Sequence, residues 1–110
     1  MTDCIFCKIV AKEVPTDFLV EDEEVVVFKD IHPKARVHLL IVPKVHIKSL
    51  NEVSEKEAGL LSHMLLILPT LAKAQNLKGF RTIINTGADG GQVIDHLHFH
   101  LIGGGALPGM

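Results

Sequence analysis

The run Asp95-His96-Leu97-His98-Phe99-His100-Leu101-Ile102 alternates histidine with a large apolar residue three times in succession. In an extended strand alternate residues share a face, so His96, His98 and His100 project together while Leu97, Phe99 and Leu101 enter a core. Seven histidines in 110 residues can cluster by chance, and a His-rich tract can be a tag or a loose metal-binding stretch. Neither accounts for strict alternation with bulky apolar residues. Imidazole near neutral pH serves as nucleophile, proton carrier, hydrogen-bond donor or metal ligand, so three on one face form a candidate site. Just upstream, Asn85-Thr86-Gly87-Ala88-Asp89-Gly90-Gly91-Gln92 is turn-rich. Such a loop either cradles phosphate oxygens with its amides or simply turns the chain.

The remaining segments read as an α+β chain. Residues 4–12 have helical spacing, ended by Val14-Pro15. Residues 18–20 and 24–28 flank Asp22-Glu23 as a hairpin, and strands follow at 36–42, 81–85 and 96–102. One long helix starts near Ser54, where Ser54-Glu55-Lys56-Glu57 matches a capping box, and ends near 75–77. Residues 64–68 are apolar at five consecutive positions, wider than one buried stripe, so one side faces the sheet and the other either meets a partner or is a greasy surface. Pro69 is expected to kink this helix.

At 47% hydrophobic and 110 residues the chain suits a single domain, 1–110, near the small end for an independent core, where metal or dimerisation often adds stability. A net charge of -2 with scattered lysines excludes an electrostatic case for long nucleic acid. No segment reads as a signal peptide or a membrane span, so the expected location is cytoplasmic.

The His-x-His-x-His run followed by two apolar residues resembles the signature of the histidine-triad (HIT) hydrolases and transferases. Residues 28–33, Val42-Pro43-Lys44-Val45-His46-Ile47, Asn85-Thr86-Gly87, Asp89-Gly90-Gly91-Gln92 and Ile102-Gly103-Gly104 are similar to the Hint branch of purine phosphoramidases, collinear from about Cys4 to Gly104. The resemblance implies a HIT-like fold with a five-stranded antiparallel sheet, one long helix, a short N-terminal helix and a homodimer through the long helix. It implies hydrolysis of purine nucleoside 5′-phosphoramidates with His98 as nucleophile, His100 donating to a phosphate oxygen, and His96 with its backbone orienting His98. Asp30 matches the carboxylate that accepts from the ribose hydroxyls; Phe6, Ile9, Val14, Phe28 and Ile31 match the apolar walls around the base. Asn85, the amides near Gly91, and Gln92 match the phosphate contacts. The apolar five could equally be core, and Asp30 could start a turn. Val93 stands where eukaryotic-type members carry Ser, and Asp95 where a Tyr is usual, which bears on the leaving group.

Cys4-Ile5-Phe6-Cys7 holds both cysteines of the chain. A C-x-x-C pair without a thioredoxin-like βαβ context reads as half a zinc site ahead of a redox pair. His46 and His96 could complete a tetrahedral Zn2+ set, as in some bacterial members of the family, or the cysteines lie a turn apart without metal. A zinc-bound nitrogen of His96 is not free to hydrogen-bond, so the two roles of His96 compete. Two other functions stand beside the phosphoramidase: a dinucleoside polyphosphate hydrolase, and a nucleotide-binding adaptor with weak catalysis. The intact triad favours catalysis.

Overall fold

The computed structural model describes residues 3–110. In chain order it contains α1 (Ile5–Val10), β1 (Val20–Glu21), β2 (Val25–Lys29), β3 (Val37–Pro43), α2 (Ala58–Ala74), β4 (Phe80–Ile83) and β5 (Phe99–Gly103). The five strands form one sheet in the order β1-β2-β3-β5-β4, antiparallel at each pairing. Element types and order are those expected; most strand and helix ends move by one to three residues. Short 3-10 turns at Leu50–Glu52 and Glu55–Glu57 lead into α2, and the Ser54/Glu57 capping box is present. The helix runs through Pro69, which lies on its exposed side, to Ala74.

Both faces of the sheet are covered, which is why β2 and β3 are apolar at consecutive positions rather than alternately. Val25, Val27, Leu39, Ile41, Leu97, Phe99 and Leu101 pack with Leu60, Met64, Leu68 and Leu71 of α2 in the main core. Val26, Phe28, Leu40 and Val42 point the other way and pack with Phe6 and Ile9 of α1. The apolar members of the histidine run therefore enter the main core, and the histidines take the α1 side. His63 of α2 reaches Asp22 in the β1–β2 turn at 2.7 Å, while the other oxygen of Asp22 accepts the amides of Glu24 and Val25. At the far end of β5, a side chain at Gly103 would meet Leu77 at 2.9 Å, and Gly104 has φ +103° with Arg36 lying against it.

The expected strand at 96–102 is shorter than its pattern. Pairing with β3 ends at Ile41↔Phe99, so β5 begins at Phe99. Beyond that point His96 Nε2 bonds the Pro43 carbonyl at 2.9 Å, and the Leu97 amide donates to Ile47. A side chain has taken an acceptor that the ladder would otherwise use, and Pro43 has no N–H to offer.

Candidate active site

His98 and His100 flank a cavity of about 680 Å³ on the α1 side of the sheet, their ring centroids 5.0 Å apart. His98 Nδ1 donates to the His96 carbonyl at 2.7 Å, which leaves Nε2 as the lone-pair nitrogen. Burial lowers the His98 pKa against opposing contributions from that hydrogen bond and from Asp30. The ring is thus neutral at pH 7 with its lone pair at Nε2.

His38, on β3, sets the tautomer of His100. The Lys34 amide donates to His38 Nδ1 at 3.0 Å, so the His38 proton sits on Nε2, 2.9 Å from His100 Nδ1 and 3.3 Å from an Asp30 oxygen. His100 Nδ1 then accepts, and a neutral His100 carries its own proton on Nε2. Burial, followed by the charges of His98 and His38, pushes the His100 pKa down to about 4. His98 and His100 consequently present opposite character, a lone pair and an N–H. Sequence reasoning passed over His38. Its signal was a single polar residue inside the otherwise apolar run from Val37 to Val42.

Of the expected nucleotide contacts, Phe6, Ile9, Val14, Phe28, Asp30, Ile31, Asn85 and Gly91 all line the cavity. Phe6, Ile9 and Phe28 are buried, whereas Ile31 is 85% exposed and forms a rim. Asp30 accepts the His32 amide with one oxygen and faces His38 with the other. Two expectations need correction. Gln92 does not line the cavity; its Oε1 accepts the Gly87 amide and its Nε2 donates to the carbonyls of Lys48 and Ile94, so it braces the loop from within. The amides of Gly90, Gly91 and Gln92 donate to carbonyls of Gly87 or Ala88. Gly91, at φ +86°, lies beside Asn85 as surface rather than as an open amide.

His96 does not line the cavity either. Fully buried, it sits behind Phe6, whose ring centroid is 5.0 Å from His98 and 5.8 Å from His96. With Nε2–H spent on Pro43, its Nδ1 lone pair faces Cys4 Sγ at 3.3 Å, Cys7 Sγ at 3.6 Å and His46 Nδ1 at 3.0 Å; Cys7 Sγ lies 3.2 Å from His46 Nδ1. All four donor atoms fall within 4.8 Å of one another. Zinc bonds of ordinary length put tetrahedral donors about 3.3–3.8 Å apart, so the residues present suit that ion in kind and spacing. Burial, with the hydrogen bond and charge of Cys4 adding, pushes the Cys7 thiol up to about 11, so an ion must displace a proton to bind it. The competition over His96 disappears in this arrangement. Its ring serves the cluster, and its backbone carbonyl serves His98.

The sequence profile of the family described as "Scavenger mRNA decapping enzyme C-term binding" matches residues 3–106. Protein HitA of Neisseria gonorrhoeae is 52% identical over 104 residues, covering 94% of this chain and 97% of that protein. An uncharacterised HIT-like protein of Synechococcus elongatus is 44% identical, covering 96% and 93%. Among solved structures, a HIT family hydrolase from Legionella pneumophila superposes with TM-score 0.94 at 40% identity, covering 96% of each chain. A histidine triad protein from Clostridium difficile does so with TM-score 0.94 at 42% identity, covering 100% of this chain and 97% of that one.

Proposed function

The chain belongs to the histidine-triad family, and on that premise we propose that it hydrolyses purine nucleoside 5′-phosphoramidates through a nucleotidyl-His98 intermediate. One observation carries the reading: the 2.7 Å bond from His98 Nδ1 to the His96 carbonyl, which leaves Nε2 unprotonated beside the cavity. Nε2 attacks phosphorus, a phosphorus–nitrogen histidine bond forms, and the bond to the leaving amine breaks as that nitrogen takes a proton from solvent, which the attacking water of the next step gives back. Water then attacks the same phosphorus, releasing the nucleoside monophosphate and returning neutral His98. His100 Nε2–H is the donor to a phosphate oxygen as charge builds in each step, and His38 keeps that proton in place. Asp30 accepts from the ribose hydroxyls, while Phe6, Ile9 and Phe28 enclose the base. Asn85 meets the phosphate.

In this reading Cys4, Cys7, His46 and His96 hold a zinc ion whose contribution is structural, tying α1 to the loop after β3 and the segment before β5. The molecule works as a cytoplasmic homodimer. Incubating the protein with adenosine and guanosine 5′-phosphoramidates and, separately, with dinucleoside polyphosphates tests the assignment. The expected result is turnover of the phosphoramidates well above that of the polyphosphates. The reverse order makes it a dinucleoside polyphosphate hydrolase, and nucleotide binding without turnover of either makes it an adaptor.

A further inference from the structure

The four-residue cluster and the candidate nucleophile are physically continuous. His96 is gripped at both ring nitrogens, by the Pro43 carbonyl at 2.9 Å and by the sulfurs of Cys4 and Cys7 at 3.3 and 3.6 Å, and its carbonyl holds His98 Nδ1 at 2.7 Å. Phe6 stands between the two cysteines in sequence, and its edge-on ring contacts both His96 and His98 while walling the cavity. The helix that carries Phe6 has six residues, too few to hold itself. Its place depends on burial of Phe6 and Ile9 and on what the two sulfurs touch.

We infer that the Cys4–Cys7 pair positions both His98 and the base wall, and that oxidation of the pair by hydrogen peroxide withdraws this support reversibly. The step balances as the Cys4 sulfur, having shed its proton, attacking the peroxide to give a sulfenic acid and, with that proton, water, after which the Cys7 sulfur displaces a second water and the disulfide forms. Each sulfur gives up one proton and one electron, and the peroxide is reduced to two waters. The two residues sit one helical turn apart, are not joined by a disulfide, and already meet through the Cys7 amide and Cys4 Sγ at 3.3 Å. Sulfurs drawn to the ~2.05 Å of a disulfide turn toward each other and away from the single nitrogen they now share. Any ion in the cluster loses two of its donors in the same step. His96 then keeps its Pro43 anchor and its contact with His46 Nδ1 but no tie to α1 through sulfur, and its carbonyl and Phe6 lose their fixed relation to each other and to His98.

The inference rests on the reading of His98 as nucleophile for its activity arm alone. The full-length protein is treated with hydrogen peroxide, and three quantities are followed: intact mass, the ring-nitrogen NMR signals of His98 without nucleotide, and affinity for adenosine 5′-monophosphate. The expected result is a mass lower by about 2 Da, loss of the Nδ1–H signature of His98 and weaker nucleotide binding, with phosphoramidate turnover falling about tenfold or more. Dithiothreitol reverses all of them, which separates the effect from methionine oxidation, untouched by thiols. Cys7→Ser, compared only with itself before and after peroxide, is expected to show no such change; the wild-type reversal decides the matter if that variant does not fold. The inference is overturned if no disulfide forms, if one forms with His98 unchanged, or if peroxide affects Cys7→Ser equally. A reduced protein that does not hydrolyse phosphoramidates removes the proposed substrate, while the His98 signals still decide this inference.

Discussion

Two rings that a strand pattern treats as equivalent, His98 and His100, are made different by what holds their far nitrogens: a backbone carbonyl for one, His38 for the other. That difference predicts separable effects. His98→Ala or His98→Gly is expected to bind adenosine 5′-monophosphate with nearly native affinity while turnover falls by several powers of ten, since the lost group acts only in the reacting complex. Asp30→Ala is expected to weaken binding first, through the ribose. Calorimetric binding beside steady-state turnover checks both, and wild-type turnover by the His98 variants would remove the mechanism. The His100 pKa, held near 4 by burial and its histidine neighbours, has a consequence for stability. Between the ordinary histidine value and about 4, the unfolded chain binds a proton at His100 that the folded chain does not, so stability falls as pH falls through that window. Urea midpoints at pH 7.5, 6 and 5 should therefore decrease in that order; a flat series would show that His100 titrates normally in the fold.

At the scale of elements, α1 is the piece whose position depends on the cluster. Six residues with Cys4 as N-cap and two buried side chains contribute little stability of their own. If zinc ties the cysteines to His46 and His96, the purified protein carries about one zinc per chain, and Cys4→Ser loses it together with part of the thermal stability, because the binding energy of a structural zinc is folding energy. Elemental analysis beside a thermal melt reads both. Zinc-free protein of full stability would reject the metal and leave the cluster as a hydrogen-bonded set. The loop before β5 teaches a related lesson. Its sequence left open whether the amides cradle phosphate or simply turn the chain; the amides of Gly90 and Gly91 donate to the Gly87 and Ala88 carbonyls and that of Gly87 to Gln92 Oε1, which braces the loop. A motif read as ligand-binding was partly a motif for holding a turn.

At the scale of the whole molecule, α2 covers the sheet with Leu60, Met64, Leu68 and Leu71 and leaves Leu65 51% and Leu66 74% exposed on its outer side. Neighbouring exposed leucines on a helix already packed on its inner side predict a second copy against that face. Sedimentation at micromolar concentration is expected to give a homodimer, and Leu66→Glu to shift it toward monomer. A wild-type monomer under those conditions would exclude the assembly.

Much of this architecture was legible in the amino-acid order. The period-2 run decided that His98 and His100 face away from Leu97, Phe99 and Leu101, and the Ser54–Glu57 box marked where the approach to α2 begins; both are local stereochemical facts that need no distant contact. Local order also put Cys4 beside Cys7 and suggested their chemistry. What it could not decide was the state of each nitrogen, because a ring has two and the choice between them belongs to partners far along the chain. His96 meets Cys4 across 92 positions and Pro43 across 53, and His38 meets His100 across 62. Only the closed sheet, with β3 laid against β5 and α1 folded over them, brings those partners within hydrogen-bond reach. Sequence period determines which face a side chain takes; long-range packing determines which atom on that face is left free to react.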